Sequence, residues 1–456
     1  MMKRVISALL CATMFLTLSG CGDRVPPLQS NIPSRAECAI VKAVYPGQAQ
    51  YPDYTQYEDS EEFYAAYDAW LKEQRDLNSL SVSADVIEDF LRLSIPEFLT
   101  GTQGNEVYSP VSVYMGLAML AELTDGNSRS QIFEVLGADN LNELRENAAK
   151  VWNTAYRNDG AVTSVLAASL WLDENINYVD ETMKALAEYY YVSSYAGEMG
   201  NEGMNRALRD WINEQTGGLL EEQAADLELP DDTILALATT ICFRAKWDKE
   251  FNENRTVPGE FIILSPDGGT IPCEFMNSSG TGTYYWAEQF SAVSRELENN
   301  GRMWFILPGS DTSVAALLDD PATMDFLMAD GEWENSKFLT INLSVPKFDV
   351  SSDSDLTDGM KRLGMVDIFD PTLSDFSATT ADMTGIILSR AEHAARVAID
   401  EEGVTAAAYA VMGEAGAPKP PDEEVDFVLN RPFLFAITAK NGLPLFMGVV
   451  QDPGKN

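Results

Sequence analysis

Catalytic chemistry in this chain is limited by its single histidine, His393. Nucleophilic catalysis of the Ser-His or Cys-His kind would have to pass through this residue. Strand alternation around His393 predicts a core position, because it shares an apolar face and the charged residues lie on the other. The apolar face also holds Ala391, Ala395, Val397 and Ile399, and the charged face holds Arg390, Glu392, Arg396 and Asp400. An enzyme is therefore the function that the sequence favours least.

The N-terminus has the pattern of an export signal. Lys3 and Arg4 precede an apolar run from Val5 to Leu18, which is too short for an ordinary membrane span. The run ends Leu18-Ser19-Gly20-Cys21, which resembles a bacterial lipobox, where cleavage precedes the cysteine and the cysteine carries a lipid. The alternative is a plain secretory cleavage after Gly20. We expect a signal peptide over 1–20, a lipid on Cys21, and a membrane-anchored protein facing outside the cytoplasm.

Composition excludes several partners and cofactors. The 71 acidic and 31 basic side chains give a net charge of −40, so we expect no nucleic-acid partner and no other polyanion. After processing, Cys38, Cys242 and Cys273 would remain, which allows at most one disulfide. Cys242 lies in an apolar run and is expected in the core. The cysteines and the single histidine lack metal-ligand spacing, so no metal and no other cofactor is expected.

The residues after Cys21 divide into a tether, a helix and a main domain. Residues 22–58 are rich in Pro, Tyr and Gln and predict a flexible tether with a mean span of about 30 to 40 Å. Ser60 to Asp76 predicts a helix capped by Ser60, with an aromatic face that docks on the domain or on cell-wall material. We place the tether and helix in 21–79 and a single main domain in 80–456.

One stretch near the C-terminus is suited to two conformations. From Ile399 the chain leaves a strand, and between Val404 and Ala410 its residues are small, uncharged or β-branched apart from one Tyr. Glycines and prolines from Met412 to Pro421 then predict an exposed loop. Taken alone, the segment is typical of an alanine-rich surface loop.

The motifs around this stretch resemble those of the serpins. Glu401-Glu402-Gly403 before an alanine run resembles the serpin hinge, and Arg431 to Phe435 with Leu445 to Val450 resemble the paired strands that close serpins. The resemblance runs in order over roughly residues 80–453. It implies an α+β serpin fold with a large, mostly antiparallel central sheet, two smaller sheets, about eight or nine helices and an exposed reactive loop.

The resemblance also implies a function, in which a protease attacks the loop and is trapped as an acyl-enzyme while the loop inserts into the main sheet. A strand needs alternating faces, and Val404, Ala406, Ala408 and Ala410 do share one face. The hinge residues so identified are Glu401, Glu402, Gly403, Val404, Thr405, Ala406, Ala407 and Ala408. The family spacing places the cut bond at Ala417-Pro418, with the neighbouring bonds from Glu414 through Ala415 and Gly416 as alternatives.

The target and the sheet-opening residues follow from the same resemblance. No Lys or Arg occurs from Val404 to Pro418, which favours an elastase-, subtilisin- or papain-like protease, of serine or cysteine type. Beneath the opening sheet the resemblance places Ser109, Ser112, Thr239, His393 and Trp247, with Thr239 where serpins usually have Asn. The alternatives are a non-inhibitory serpin-fold binding protein and a surface adhesin. We expect a monomer.

Overall fold

The structure is a computed structural model that describes residues 10–20 and 38–455, apart from 53, 58, 101–103, 161, 264–267, 298–300 and 404–420. Its strands, in chain order, are β1 (Leu10–Gly20), β2 (Ala39–Val41), β3 (Glu106–Tyr108), β4 (Arg157–Asn158), β5 (Thr163–Asp173), β6 (Val192–Gly197), β7 (Thr233–Arg244), β8 (Val257–Ile262), β9 (Thr270–Trp286), β10 (Phe290–Glu296), β11 (Arg302–Pro308), β12 (Ser336–Pro346), β13 (Phe348–Asp355), β14 (Ile386–Ile399), β15 (Glu424–Val428), β16 (Phe433–Thr438) and β17 (Pro444–Val450).

Eleven α-helices pack on these strands in the described part of the chain, against the eight or nine expected. They are α1 (Ser60–Leu80), α2 (Glu88–Leu99), α3 (Pro110–Leu123), α4 (Gly126–Leu136), α5 (Leu141–Ala155), α6 (Asp180–Tyr190), α7 (Glu202–Thr216), α8 (Glu221–Ala224), α9 (Val314–Leu318), α10 (Pro321–Met328) and α11 (Thr357–Arg362). The excess comes from α8, α9 and α11, which have four to six residues each and are too short to give a periodic pattern.

The main sheet has the order β13-β14-β1-β7-β5-β6-β2, with β4 also paired to β5. Its ladders are antiparallel except β5–β6, which confirms the mostly antiparallel central sheet. Eleven of the twelve β7 residues are buried, as expected for a strand covered on both faces. On one face lies α3, whose fourteen residues are all buried because its sequence is apolar on every side.

A second sheet has the order β15-β12-β9-β10-β11-β16-β17-β3, with β8 also paired to β9. The seventeen-residue strand β9 pairs with β8, β10 and β12 and so joins the two smaller expected sheets into one hydrogen-bonded system. Helix α3 contacts strands of both sheets and therefore lies in the core between them.

Residues 10–20 form an interior strand of the main sheet, although their sequence was interpreted as part of an export signal. Strand β1 pairs with β14 on one side and with β7 on the other. The segment contains no charge and no proline, so it can lie in a sheet buried on both faces. The export signal stays a prediction, and the structure shows in addition that the same residues can pair as a strand of the main sheet.

The expected tether and helix pack on the domain from residue 38 onward. Strand β2 adds to the edge of the main sheet beside β6, within the segment for which a flexible coil was expected. Helix α1 extends to Leu80, and its cap is Asp59, which accepts from the Glu61 N–H, rather than Ser60. Buried Trp70 donates its indole N–H to Asp159 at 3.2 Å, so the aromatic face of α1 docks on the domain itself.

Candidate functional site

The chain leaves the main sheet through four residues, 400–403, which we call the hinge turn. The Asp400 Oδ1 atom accepts hydrogen bonds from the backbone N–H groups of Glu402 and Gly403, at 3.0 and 3.1 Å. These bonds close the turn on itself, in the way that Asp side chains commonly cap turns. The turn is therefore fixed by residues that precede the predicted loop.

The segment that follows β7 fastens the hinge turn to the main sheet. The Phe251 N–H donates to the Glu401 carbonyl at 2.8 Å, and the Trp247 N–H donates to the Glu402 carbonyl at 3.4 Å. The Trp247 indole N–H donates to the Asp400 carbonyl at 2.9 Å, and the Trp247 residue is 3% exposed. Trp247, a predicted site residue, thus joins the end of β7 to the end of β14.

Glu401 is a buried carboxylate with two side-chain partners. It is 8% exposed, and a carboxylate at that depth needs charged or hydrogen-bonding partners. The Lys347 Nζ atom lies 2.8 Å from Glu401 Oε1 and 3.4 Å from a Glu274 oxygen, and the Thr256 hydroxyl donates to Glu401 at 2.6 Å. Burial raises the pKa of Glu401, but the bonds from Lys347 and Thr256 outweigh burial and hold that pKa below its usual value.

Asp400 behaves in the opposite way. Burial raises the pKa of Asp400 to about 6, with the nearby Glu402 and Glu401 charges adding to the rise and the two turn N–H groups opposing it. The hinge turn therefore contains one carboxyl that stays ionised to low pH and a neighbour that takes up a proton in mildly acidic solution.

Gly403 ends the hinge turn in a conformation that favours glycine. Its φ is +89°, and an added Cβ atom would lie 2.9 Å from the Lys246 carbonyl carbon and 3.0 Å from the Lys246 Cα. A side chain would be both strained and in collision with backbone. The chain thus passes tightly over the end of β7 before it enters the predicted loop.

The strand position between β7 and β14, which we call the central slot, begins beside the hinge turn. In this structure β1 occupies the central slot and runs antiparallel to both neighbours. Leu10 pairs with Val397 and Phe243 at the hinge end, so β1 runs away from the hinge turn. A segment that folded back at Gly403 to pair with β14 would run in the same direction as β1.

Four buried residues without charge lie beneath the middle of the central slot, and we call Ser109, Ser112, Thr239 and His393 the neutral cluster. The Ser109 N–H donates to His393 Nε2 at 3.0 Å, which places the ring proton on Nδ1. The Ser109 hydroxyl donates to the Leu445 carbonyl at 2.8 Å. His393 is 1% exposed, so the prediction of a core histidine is correct.

Thr239 bonds to the helix rather than to the histidine. It donates to the Ser112 carbonyl at 3.1 Å, and the two hydroxyls are 3.0 Å apart. Across the described residues no hydrogen bond joins Thr239 to His393, because Met14 of β1 pairs with both and keeps them two strands apart. With the slot empty and closed, β7 and β14 would become neighbours about 5 Å apart, with Thr239 opposite His393.

The residues that sequence reasoning missed are those that bind the hinge turn from other elements: Lys347, Thr256 and Phe251. Each is far from Glu401 in sequence, and no local pattern marks it. The available signal was Glu401 itself, because a carboxylate just after a buried strand requires a cation nearby. Lys347, which lies between β12 and β13, meets that requirement.

Several predicted positions lie outside the described residues and stay predictions. They are the loop part of the hinge (Val404, Thr405, Ala406, Ala407 and Ala408), the reactive-bond region (Glu414, Ala415, Gly416, Ala417 and Pro418) and Cys21. Within the described ranges, no group of three or more His, Cys, Asp or Glu residues is placed to hold a metal ion. Among the helices that the structure describes, none is long and apolar enough to cross a membrane.

Comparison with protein families gives one match that covers most of the chain. Residues 95–453 match the model described as Serpin (serine protease inhibitor). Among curated proteins, human Serpin B3 is 27% identical over 401 residues, which cover 83% of this chain and 100% of that protein. Serpin-ZX of Arabidopsis thaliana is 25% identical over 369 residues, which cover 76% of this chain and 92% of that protein.

Solved structures show the same fold at lower identity. Tengpin, a thermophilic serpin in its native state, aligns with a TM-score of 0.68 at 22% identity, over 82% of this chain and 94% of its own. A thyroxine-binding globulin in complex with thyroxine aligns with a TM-score of 0.67 at 18% identity, over 80% of this chain and 99% of its own.

Proposed function

Because the chain belongs to the serpin family, we propose that it inhibits a protease as a suicide substrate, offering the residues after the hinge turn as bait. Membership of the family supports protease inhibition in general, and it supports a protease as the binding partner. The acyl-enzyme trap and the class of the target are the specific parts of the proposal.

One observation carries the trap: the main sheet holds a strand position between β7 and β14, at the point where the hinge turn leaves β14. That the described sheet takes up a strand there from a distant part of the sequence supports insertion at this position. A loop strand would gain ladder hydrogen bonds on both sides, each worth about 0.5 to 1.5 kcal/mol. The uncut loop would then be held out kinetically.

The target is proposed from the loop sequence. Between Val404 and Pro418 the chain offers small and apolar residues and no Lys or Arg, which suits an elastase-, subtilisin- or papain-like protease. The cut is proposed at Ala417-Pro418 or, since proline after a cut bond obstructs most serine proteases, at a neighbouring bond from Glu414 onward. A trypsin-like protease trapped at Lys419 would contradict this choice.

The test is to incubate the chain that begins at Cys21, as the predicted signal cleavage would leave it, with one protease of each class and to examine the products by denaturing gel and mass spectrometry. We expect an adduct that survives denaturation, with cleavage between Glu414 and Pro418. In the same assay, Val404→Arg should be cleaved without forming an adduct, because its charge cannot enter the slot. The control Val404→Thr keeps the shape and should still form the adduct. If Val404→Arg traps the protease at full yield, insertion is refuted.

A second candidate is a serpin fold without inhibition that acts as a surface binding protein. The favouring observation is the structural match to a thyroxine-binding globulin in complex with thyroxine, which is a ligand-binding protein of the same fold. Clean cleavage of the chain that begins at Cys21 by all three proteases, with the cut protein no more heat-stable than the intact one, would select this candidate.

We further propose that the protein is anchored by a lipid on Cys21, monomeric, and exposed outside the cytoplasm. The support is the Leu18 to Cys21 pattern after an apolar run. A Cys21→Ser variant should appear in the soluble fraction, and mass spectrometry of the wild type should find a lipid on the new N-terminus. An unmodified N-terminus in both would contradict the anchor.

A further inference from the structure

The central slot has room for one strand, and β1 uses both of its edges. Strand β7 pairs with β5 on one side and β1 on the other, and β14 pairs with β13 and β1. A strand has two edges for ladder hydrogen bonds, and β1 takes the edges of β7 and β14 that face each other, so neither of those two edges remains for another strand. The loop after the hinge turn can enter the main sheet only where β1 is absent.

Strand β1 is packed in the slot, and its described side chains join the core. Met14 and Leu16 are 0% and 1% exposed and belong to the main apolar cluster. Gly116 of α3 lies directly against Met14, so that a Cβ atom at Gly116 would meet the Met14 side chain. The Thr17 and Ser389 hydroxyls are 2.9 Å apart. Helix and strand thus accommodate a bulky apolar side chain at this position.

The two segments that could occupy the central slot are similar in length, lack charge and would run in the same direction, but they differ in the size of their side chains. Residues 10–20 and residues 404–413 are both free of charge and proline, and both would run antiparallel to β14. The first segment carries three Leu, one Met and one Phe, whereas the second carries one Tyr, one Met, two Val and four Ala and so has fewer large apolar side chains. Larger apolar side chains gain more from burial where the site has room for them. The N-terminal segment is therefore the stronger competitor for the slot.

We propose that residues 10–20 and the reactive loop compete for the central slot, so that a chain that folds while it retains its N-terminal segment is an inert form. That this form does not trap a protease is a statement that rests on the function proposed above. Removal of the segment then acts as the switch, because it frees both strand edges beside the hinge turn. Inhibition would be confined to chains that have lost this segment.

The experiment compares three full-length chains: wild type, Met14→Asp and Met14→Leu. The aspartate would place a charge in the core and expel β1 from the slot, whereas leucine conserves the apolar packing. We expect the yield of denaturant-stable adduct to be at least about tenfold higher for M14D than for the wild type or M14L. Equal yields from wild type and M14D would overturn the proposal. A second variant, Leu16→Asp, replaces M14D if that protein does not fold.

A second readout separates this proposal from the proposed function. Each chain is cut in its loop with the papain-like protease, and its heat stability is compared before and after. M14D should become more heat-stable on cutting because its loop can insert, and the wild type and M14L should not change. This result without any adduct would keep the competition and refute the inhibitory function. An equal gain in all three chains would refute the competition.

Discussion

The hinge turn and the neutral cluster hold the same two strands by different means. The hinge turn uses an ion pair, a buried carboxyl and hydrogen bonds to the backbone, and its Gly403 has a positive φ. The neutral cluster uses hydroxyls and an imidazole, on residues that are each no more than 1% exposed. A neutral contact can break and re-form as strands separate without stranding a charge. The comparison indicates a fastened end and a separable middle, and four substitutions test it.

The largest effect is expected at Gly403. Gly403→Ala should lower the free energy of unfolding by about 2 to 3 kcal/mol more than its control, because the new methyl would collide with the backbone of Lys246. The control is Gly364→Ala, since Gly364 also has a positive φ, of +104°, but has nothing within 4 Å of an added Cβ. Chemical denaturation measures both. Equal losses would show that the hinge turn is not tightly packed.

The middle of the slot should respond to loss of a single hydroxyl. Thr239→Val should cost about 1 to 2 kcal/mol, because it leaves the buried Ser112 hydroxyl without its partner. The neighbouring Thr240 is an internal control: it is 0% exposed, and its hydroxyl lacks a hydrogen-bond partner among the described residues. Thr240→Val should be neutral or stabilising. If both variants lose the same stability, the neutral cluster contributes nothing specific.

A smaller effect is expected from the ion pair at the hinge turn. Lys347→Met should cost about 1 kcal/mol and speed hydrogen exchange at the Trp247 and Phe251 amides, because Glu401 loses its cation. Lys337→Met removes an exposed pair with Glu423, so it should cost less than about 0.5 kcal/mol. Unchanged exchange at Trp247 in the Lys347 variant would mean that the ion pair does not hold the hinge turn.

The fourth effect is a pH dependence at Asp400. Its pKa is raised from 3.8 to about 6 in the folded protein, so the folded state binds a proton that the unfolded state releases. The resulting stability is complete below pH 3.8 and is lost as the pH rises through 6. After correction for the intrinsic exchange rate, the Trp247 indole N–H should therefore exchange faster at about pH 7 than at about pH 5. Asp400→Asn should remove this difference, and a difference that persists would assign it elsewhere.

Elements with a strong local pattern could be predicted from the sequence. The apolar run from Thr233 predicted β7, and alternation predicted the buried face of β14 with His393 on it. In the structure, the Ser109 side chain caps the start of α3, and Gly137, with a positive φ, ends α4, so local sequence chemistry accounts for these two helix ends. These elements depend on neighbours in sequence, which is why a single chain is enough to place them.

Contacts between distant segments could not be predicted in the same way. Strand β1 pairs with residues more than two hundred positions away, and its apolar run satisfies a leader and a buried strand equally. The ion pair between Lys347 and Glu401 joins two residues that are far apart in sequence, the first between β12 and β13 and the second just after β14. No periodic pattern in the sequence indicates such a pair. The resemblance to a family predicted which residues form the neutral cluster. It did not predict that Thr239 would bond to α3 while β1 separates Thr239 from His393.

Strand β2 has a consequence for the association of copies of this protein. It covers the outer side of the six-residue strand β6, which would otherwise present an open row of backbone groups to solvent. Because β2 itself has only three residues, the edge that it leaves is too short to template a long ladder with another molecule. The segment before the domain thus protects this edge of the main sheet from edge-to-edge aggregation.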